Sequence, residues 1–324
     1  MPSRFKNSIY KTLAAVGVQH ALLWRMRRKR LTTILNLHSV GMNSNPYWDP
    51  LDPQVFEGLL QYLSRNFQVC LLGEETAADD PRPRAILSFD DGYYDFIEIA
   101  MPLLAKYKMR ANMNVIGECV ETGKPQWDVQ ISDHLVRAPL ALVNELKLPE
   151  FAAKLASEEK FDRVQYALAI YRYLKIMNTE TKAKIWPIVE EWMARVGPGA
   201  ATRFMDVDHI RQAASAGHQI GAHGYRHQPM GLETAEYFQQ DFELCRKLFR
   251  DKLKMPLEIY AFPFGSHRKE NLKALTDDGV KYVLLVEEKL FSGVGNVYPR
   301  VSIYGYTADE TIFQALGLRA QGVL

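Results

Sequence analysis

The spacing of apolar and polar residues changes repeatedly along this chain. Short apolar runs of the kind that fill a strand occur at Ile34 to Leu37, Val69 to Leu72, Ala85 to Phe89 and Ala111 to Ile116. Further runs lie at Gln219 to Ala222, Ile259 to Phe262, Lys281 to Val286 and Arg300 to Ile303. Between several of them the apolar residues recur at helical spacing, as in "DPQVFEGLLQYLSRN", "YYDFIEIAMPLLAKYK", "VDHIRQAASAG" and "HRKENLKALTDDG". Strands and helices alternating in this way predict an α/β fold of βα units around a mostly parallel sheet or barrel. One stretch breaks the rhythm. From about 125 to 205 only helical periodicity is present, which predicts a helical insertion into one catalytic domain of residues 31–324.

Composition fits that picture: 47% hydrophobic and 11% aromatic residues are enough for a sizeable core and exclude extended disorder. Three widely spaced cysteines, Cys70, Cys119 and Cys245, form no CxxC pair and read as reduced thiols in a cytosolic protein. Charge is the uneven feature. The net charge is +2, yet the first 30 residues hold eight Lys or Arg and no acid, five of the bases falling within "RMRRKR" at Arg25–Arg30. The preceding apolar stretch is too short to span a bilayer, and its basic cluster follows it, unlike a signal peptide. Residues 1–30 therefore read as a basic amphipathic segment. It could contact an anionic membrane peripherally at the inner, cytoplasmic face, or simply pack on the domain. Nucleic-acid binding by this cluster alone leaves the barrel pattern unexplained.

The candidate chemistry begins at "AILSFDDGYYDF". An apolar run ends in two adjacent carboxylates, Asp90 and Asp91, and in α/β folds active sites are built at the carboxyl ends of strands. Neighbouring residues of a strand point to opposite faces, so the two acids can serve different partners near one site. Two bare carboxylates this close repel, and a cation is the natural compensator. Its other ligands are found in "IGAHGYRHQPM": His223 and His227, four apart, fall on one face if the segment is a helical turn. Asp91, His223 and His227 make a three-ligand set with a position left open, as in catalytic zinc sites, although Co, Ni, Fe or Mn would suit the same donors. The second "DDG", Asp277 to Gly279, closes a helical run and reads as a C-cap.

Taken together, "SFDDGYYD", "GHQIGAHGYRH" and "YAFPFG" resemble the successive motifs of the polysaccharide deacetylase family, carbohydrate esterase family 4. "ILNLHSV" and "YPRVSIY" resemble the first and last strands of its poly-N-acetylglucosamine deacetylase-like branch. The resemblance implies a distorted (β/α) barrel and metal-dependent removal of an N-acetyl group from an amino sugar in a glycan or a lipid-linked saccharide. It implies Asp90 as general base, Asp91, His223 and His227 as metal ligands, and an oxyanion-binding N–H near Phe264. Two departures bear on the remaining roles. No His follows His267, so the branch's first-strand histidine, here His38, is the expected general acid. The third motif lacks its usual Arg, and Arg300 is the expected substitute, since a guanidinium can hold a carboxylate bidentately. Trp127, at the start of the insertion, could stack on a sugar ring or sit in the core. Hydrolysis of a formyl group or cyclic imide at the same site, or glycan binding without catalysis, are the competing readings.

Overall fold

In the computed structural model of the chain, residues 4–42, 49–77, 79–148, 163–198 and 202–321 are described. Eight strands are present among them: β1 (Thr32–Leu37), β2 (Gln68–Val69), β3 (Arg84–Phe89), β4 (Asn112–Val115), β5 (Gln219–Ala222), β6 (Ile259–Ala261), β7 (Tyr282–Val286) and β8 (Val297–Ser302). All pair in parallel, in the order β1-β8-β7-β6-β5-β4-β3, and β3 pairs back with β1 along its whole length. The result is a closed, seven-stranded parallel barrel. The short β2 adds to Arg84 and Ala85 at the start of β3, on the side that β4 takes over from Ser88.

The period of two sorts each strand into an outer and an inner face. Outward residues, including Leu35, Leu37, Leu87, Phe89, Met113, Val115, Tyr260, Phe262, Val283 and Leu285, join the main core between barrel and surrounding helices. Inward residues change character along the barrel. Ile34, Ile86, Ile259, Ala261 and Leu284 form an apolar plug in its lower part. One step further along, the inward positions carry Asn36, Ser88, Asn114 and Arg300, all buried. Several of these groups bond one another: Arg300 and Asn114 Nδ2 donate to the Ser88 hydroxyl at 3.1 and 3.2 Å, and Ser88 donates to Asn112 Oδ1 at 2.8 Å. Asn36 Oδ1 and Asn114 Oδ1 are buried without a hydrogen-bond partner. A polar layer above an apolar plug is what sets the carboxyl end of this barrel apart for chemistry.

The outer helices carry ordinary sequence signals. Asp52 caps helix Pro53–Asn66, accepting from the Gln54 and Val55 amides at 2.7 and 3.2 Å, and Pro53 fills a first-turn position that needs no N–H. Helix Lys269–Asp277 ends at Asp278, and Gly279 follows with φ +92°, so the second "DDG" is a helix terminus.

The basic N-terminal segment is not a free arm. Helices Arg4–Ala15 and Val18–Arg28 insert Tyr10, Leu22, Leu23 and Met26 into the main core, and Tyr10 stacks on Phe313 at 5.8 Å. Much of their apolar surface is thus taken up by the domain, although Val16 between them is exposed. Trp24 stays exposed, with Arg28 5.3 Å above its ring. Among the described residues no helix is long and apolar enough to cross a membrane.

Between β4 and β5 the chain forms helices Gly117–Thr122, Trp127–Arg137, Leu140–Glu145, Arg163–Lys175, Thr179–Val196 and Val207–Ser215. The middle four build a separate apolar cluster around Leu135, Val143, Ile170, Leu174, Val189 and Trp192. The chain then returns antiparallel to the first "DDG", Met205 N donating to the Gly92 carbonyl at 2.8 Å and Tyr94 N to that of Arg203 at 3.0 Å.

The barrel interior is close-packed where it supports the polar layer. A Cβ at Gly221 of β5 would collide with Asn114 Oδ1 and stand 2.8 Å from Ile259 Cγ2. Gly221→Ala is expected to lower stability by about 1–3 kcal/mol, a typical cost of overpacking a core. Denaturant melts of the variant check this, and an unchanged midpoint would contradict the packing described.

Candidate metal site

The inward register delivers three of the candidate residues directly. His38 follows Ile34 and Asn36, Asp90 follows Ile86 and Ser88, and His223 follows Gly221, each just past the end of its strand. The ladders extend beyond the strands to hold them, with Asp90 N donating to the Leu37 carbonyl at 2.9 Å and His223 N to that of Val115 at 2.8 Å. Asp91, next in line, would by alternation face outward. Its φ of +75° turns it back, so both acids enter the same cavity. The expectation of opposite faces therefore fails at this residue, because a left-handed backbone breaks the alternation.

A second correction concerns the histidine pair. Residues 223–229 form no helical turn. Left-handed φ values at Gly224 (+69°) and His227 (+53°) bend a loop so that both rings meet. Asp241, fully buried on helix Ala235–Lys247, holds this loop by accepting from the Tyr225 and Arg226 amides at 2.7 and 3.1 Å. Among the described residues, Asp91, His227 and Phe264 are three of the seven non-glycine residues with positive φ, and all three line one cavity. Strained backbone of this kind persists where the surrounding packing enforces it, often at functional sites.

The donor atoms converge. Asp91 Oδ1 lies 3.5 Å from Nε2 of His223 and 3.5 Å from Nε2 of His227, and ligand atoms of all three buried residues fall within 4.8 Å of one another. His223 Nδ1 is 2.9 Å from the Ala261 carbonyl, which fixes the proton there and leaves Nε2 its lone pair. Asp91 Oδ1 is buried without a hydrogen-bond partner. A buried orphan oxygen beside two imidazole lone pairs fits a divalent cation.

Electrostatics point the same way. Burial, then the charges of Asp90 and Asp128, push the Asp91 carboxyl well above its ordinary range. Burial also lowers both histidines, so they are neutral and available as ligands. For Asp90, burial alone would raise the carboxyl, but the charges of Arg300 and His223 and the Arg300 hydrogen bonds together outweigh it and hold it well below the usual range. Arg300 is fully buried. Its two terminal nitrogens donate to Asp90 Oδ1 and Oδ2 at 2.7 Å each, and Asn114 Nδ2 adds a donor to Oδ1 at 2.8 Å. The arginine of β8 thus supports Asp90 of β3 across β1, far from any exposed edge.

His38 lines the cavity, and burial pushes its imidazole down to about 4 against the opposing pull of Asp90. Phe264 lies on the turn Pro263–Gly265 with φ +58°, its ring 4.6 Å from that of His227. Trp127 is placed differently from a free stacking platform. It lines the cavity, but Tyr171 stacks on it at 6.0 Å and Lys182 sits 4.3 Å from its ring centre, while Nε1 donates to the His227 carbonyl at 3.4 Å.

Sequence reasoning gave no role to Asp128, Tyr93, Gln228 or Glu233. The Tyr93 hydroxyl hydrogen-bonds the Asp91 carboxyl. Lys182 donates to Gln228 at 2.5 Å, and Glu233 accepts from the Thr179 amide and hydroxyl at 2.7 and 2.8 Å, pinning the insertion to the histidine loop. Asp128 Oδ1 faces His227 Nδ1 at 3.9 Å, and both atoms are buried without partners. The only sequence signal for this acid was its place beside Trp127 at the start of the insertion.

The sequence model of the family described as Polysaccharide deacetylase matches residues 164–283, which include His223, His227 and the "FPFG" turn. Solved structures share the fold across most of the chain. The Streptococcus pyogenes deacetylase PplD, in complex with acetate, superposes with a TM-score of 0.57 at 15% identity, covering 88% of this chain and 98% of that one. IcaB from Ammonifex degensii gives 0.56 at 14% identity, covering 88% and 97%. The de-N-acetylase from Aggregatibacter actinomycetemcomitans gives 0.53 at 14% identity, covering 87% and 99%. The chain is similar to the polysaccharide deacetylase family over residues 164–283 of its sequence and shares the fold of these structures across most of its length. No curated protein matches it in sequence. Within this family fold, a buried Asp-His-His set stands at the barrel mouth, with Asp128 placed to accept from the outer nitrogen of one ligand. Removing such an outer partner typically costs 10–100-fold in metal affinity. Asp128→Asn is expected to weaken divalent-metal binding by about that factor, measured by competition with a chromophoric chelator. Unchanged affinity would leave the facing orphan atoms without this role.

Proposed function

We propose that the protein is a metal-dependent N-deacetylase of an amino sugar, and the paired fates of Asp90 and Asp91 are the observation that carries this reading. One carboxylate has its own guanidinium; the other lacks a protein cation and stands among neutral histidines. A divalent ion held by Asp91, His223 and His227 would supply Lewis acidity, polarising an amide carbonyl and acidifying water.

The chain's own residues supply the rest. Asp90 is ionised throughout the physiological range and rigidly aimed, so it can accept a proton from an attacking water without reorganising. Arg300 and Asn114 hold the carboxylate in place, leaving Oδ2 directed toward His223 Nε2 at 3.7 Å. His38 is neutral in the resting site. The proton that Asp90 takes from the water can pass to this imidazole as negative charge builds on the acyl oxygen, and from it to the departing amine. The Phe264 amide, on a turn beside His227, is the candidate backbone donor to that oxygen.

A vestigial, non-catalytic site is less well supported, because the two motif departures are each met by a residue of this chain. Arg300 reaches the Asp90 carboxylate, and His38 reaches the cavity. The purified chain loaded with a divalent metal is expected to release acetate from a 2-acetamido sugar. Asp90→Asn should reduce kcat by about 10²–10⁴-fold, the usual share of a general base. Equal rates for the variant, or after chelation, would overturn the mechanism.

A further inference from the structure

The cavity above Asp90 and Asp91 has a volume of about 320 Å³, and its outer wall is apolar to a degree that a sugar ring does not require. Helices Trp127–Arg137 and Arg163–Lys175 contribute Val129, Ile131, Leu135, Ala167 and Leu168 to it. Val129 and Leu168 line the cavity without belonging to the packed cluster of the insertion. A sugar chain presents hydroxyls on every edge and needs hydrogen-bonding partners, whereas these two helices set only Asp128, Ser132, Tyr171 and Lys175 beside the five apolar side chains.

One cation stands in this apolar setting. Lys175 is half-buried, and its ammonium lies 4.6 Å from the Phe264 ring centre and 5.4 Å from that of Tyr171. Among the described residues no carboxylate comes within ion-pair distance, and Asp128 acts on it only through space. Phe264 is itself 4.6 Å from the His227 ring, so the ammonium stands about one aromatic ring away from the ligand set. A desolvated ammonium without an ion-pair partner, beside an apolar wall and facing a hydrolytic site, calls for an anion attached to something greasy.

We propose that the pocket takes an amino sugar whose anomeric oxygen carries the phosphate ester of an apolar alcohol. The amide then lies over Asp90 and Asp91, the phosphate at Lys175, and the chain along Val129, Ile131, Leu135 and Leu168. This substrate class rests on the deacetylase reading above.

The test compares acetate release by the metal-loaded full chain from four compounds sharing one 2-acetamido sugar: its 1-(octyl phosphate), its neutral octyl glycoside, its nucleotide diphosphate and a trisaccharide. The octyl phosphate is expected to exceed each of the others at least tenfold in kcat/KM. Lys175→Met should shrink the ratio of octyl phosphate to octyl glycoside to less than twofold. Leu168→Ser should shrink the ratio of octyl phosphate to nucleotide diphosphate. A trisaccharide or neutral glycoside turned over as well as the phosphate ester would overturn the proposal. So would a better nucleotide-linked substrate, or a Lys175→Met effect equal on charged and neutral compounds. Calorimetric binding of the deacetylated octyl phosphate keeps the two readings apart. Tight binding that weakens tenfold in Lys175→Met upholds the ligand class even if no compound releases acetate, a result that would instead sink the deacetylase reading. Absence of binding overturns the proposal.

Discussion

Two carboxylates cannot both stay ionised at the end of one buried strand unless each has a cation of its own. That constraint organises the upper half of this barrel. Asp90 receives Arg300 from β8, a pair with almost no solvent exposure on either side. Such a pair survives burial only when the remaining hydrogen-bonding capacity is also met, and here Ser88, Asn114 and the Leu285 carbonyl meet much of it. Among the described residues, Asp91 receives no such partner. Its charge is instead placed where two neutral imidazoles leave room for a metal.

The rest of the fold supports this division. The apolar plug of Ile34, Ile86, Ile259 and Leu284 keeps the lower barrel closed, so the polar layer can sit at one level. Asp241 fixes the histidine loop from the helix side, and the insertion fixes it from above through Lys182, Thr179, Trp127 and Asp128. The insertion is therefore part of the site: it supplies the wall of the cavity and brings an acid to the outer nitrogen of His227.

Much of this was legible in the sequence, for particular physical reasons. Short apolar runs marked the strands, because a barrel strand packed on both faces leaves such a run between turn residues, although the run at Val69 to Leu72 meets the short β2 only at Val69. Charge repulsion between Asp90 and Asp91 directed the search to His223 and His227. The missing motif arginine directed it to Arg300, which the structure shows in bidentate contact with Asp90. Backbone handedness was not legible. Nothing in residue type marks Asp91 and His227 as left-handed, and those two φ values decide where their side chains point. Long-range partners were equally hidden: Asp128 and Asp241 are single acids on amphipathic helices until tertiary packing turns them toward the loop. At the basic N-terminus the charges are visible in sequence while the packing of Tyr10 and Met26, which decides between the two readings of its helices' inner face, is not.

The most direct test of the two-cation account is the thermal stability of the metal-free and metal-loaded chain, wild type beside Asp91→Asn. A carboxyl raised in the folded state binds its proton more tightly there than in the unfolded chain, so ionising it costs stability as pH rises above the unfolded value. At neutral pH the metal-free Asp91→Asn protein should therefore melt above the metal-free wild type, and one equivalent of divalent metal should raise the melting temperature of the wild type alone. A variant less stable than the metal-free wild type, or metal stabilising both proteins equally, would contradict the claim that Asp91 is the carboxylate left for a metal.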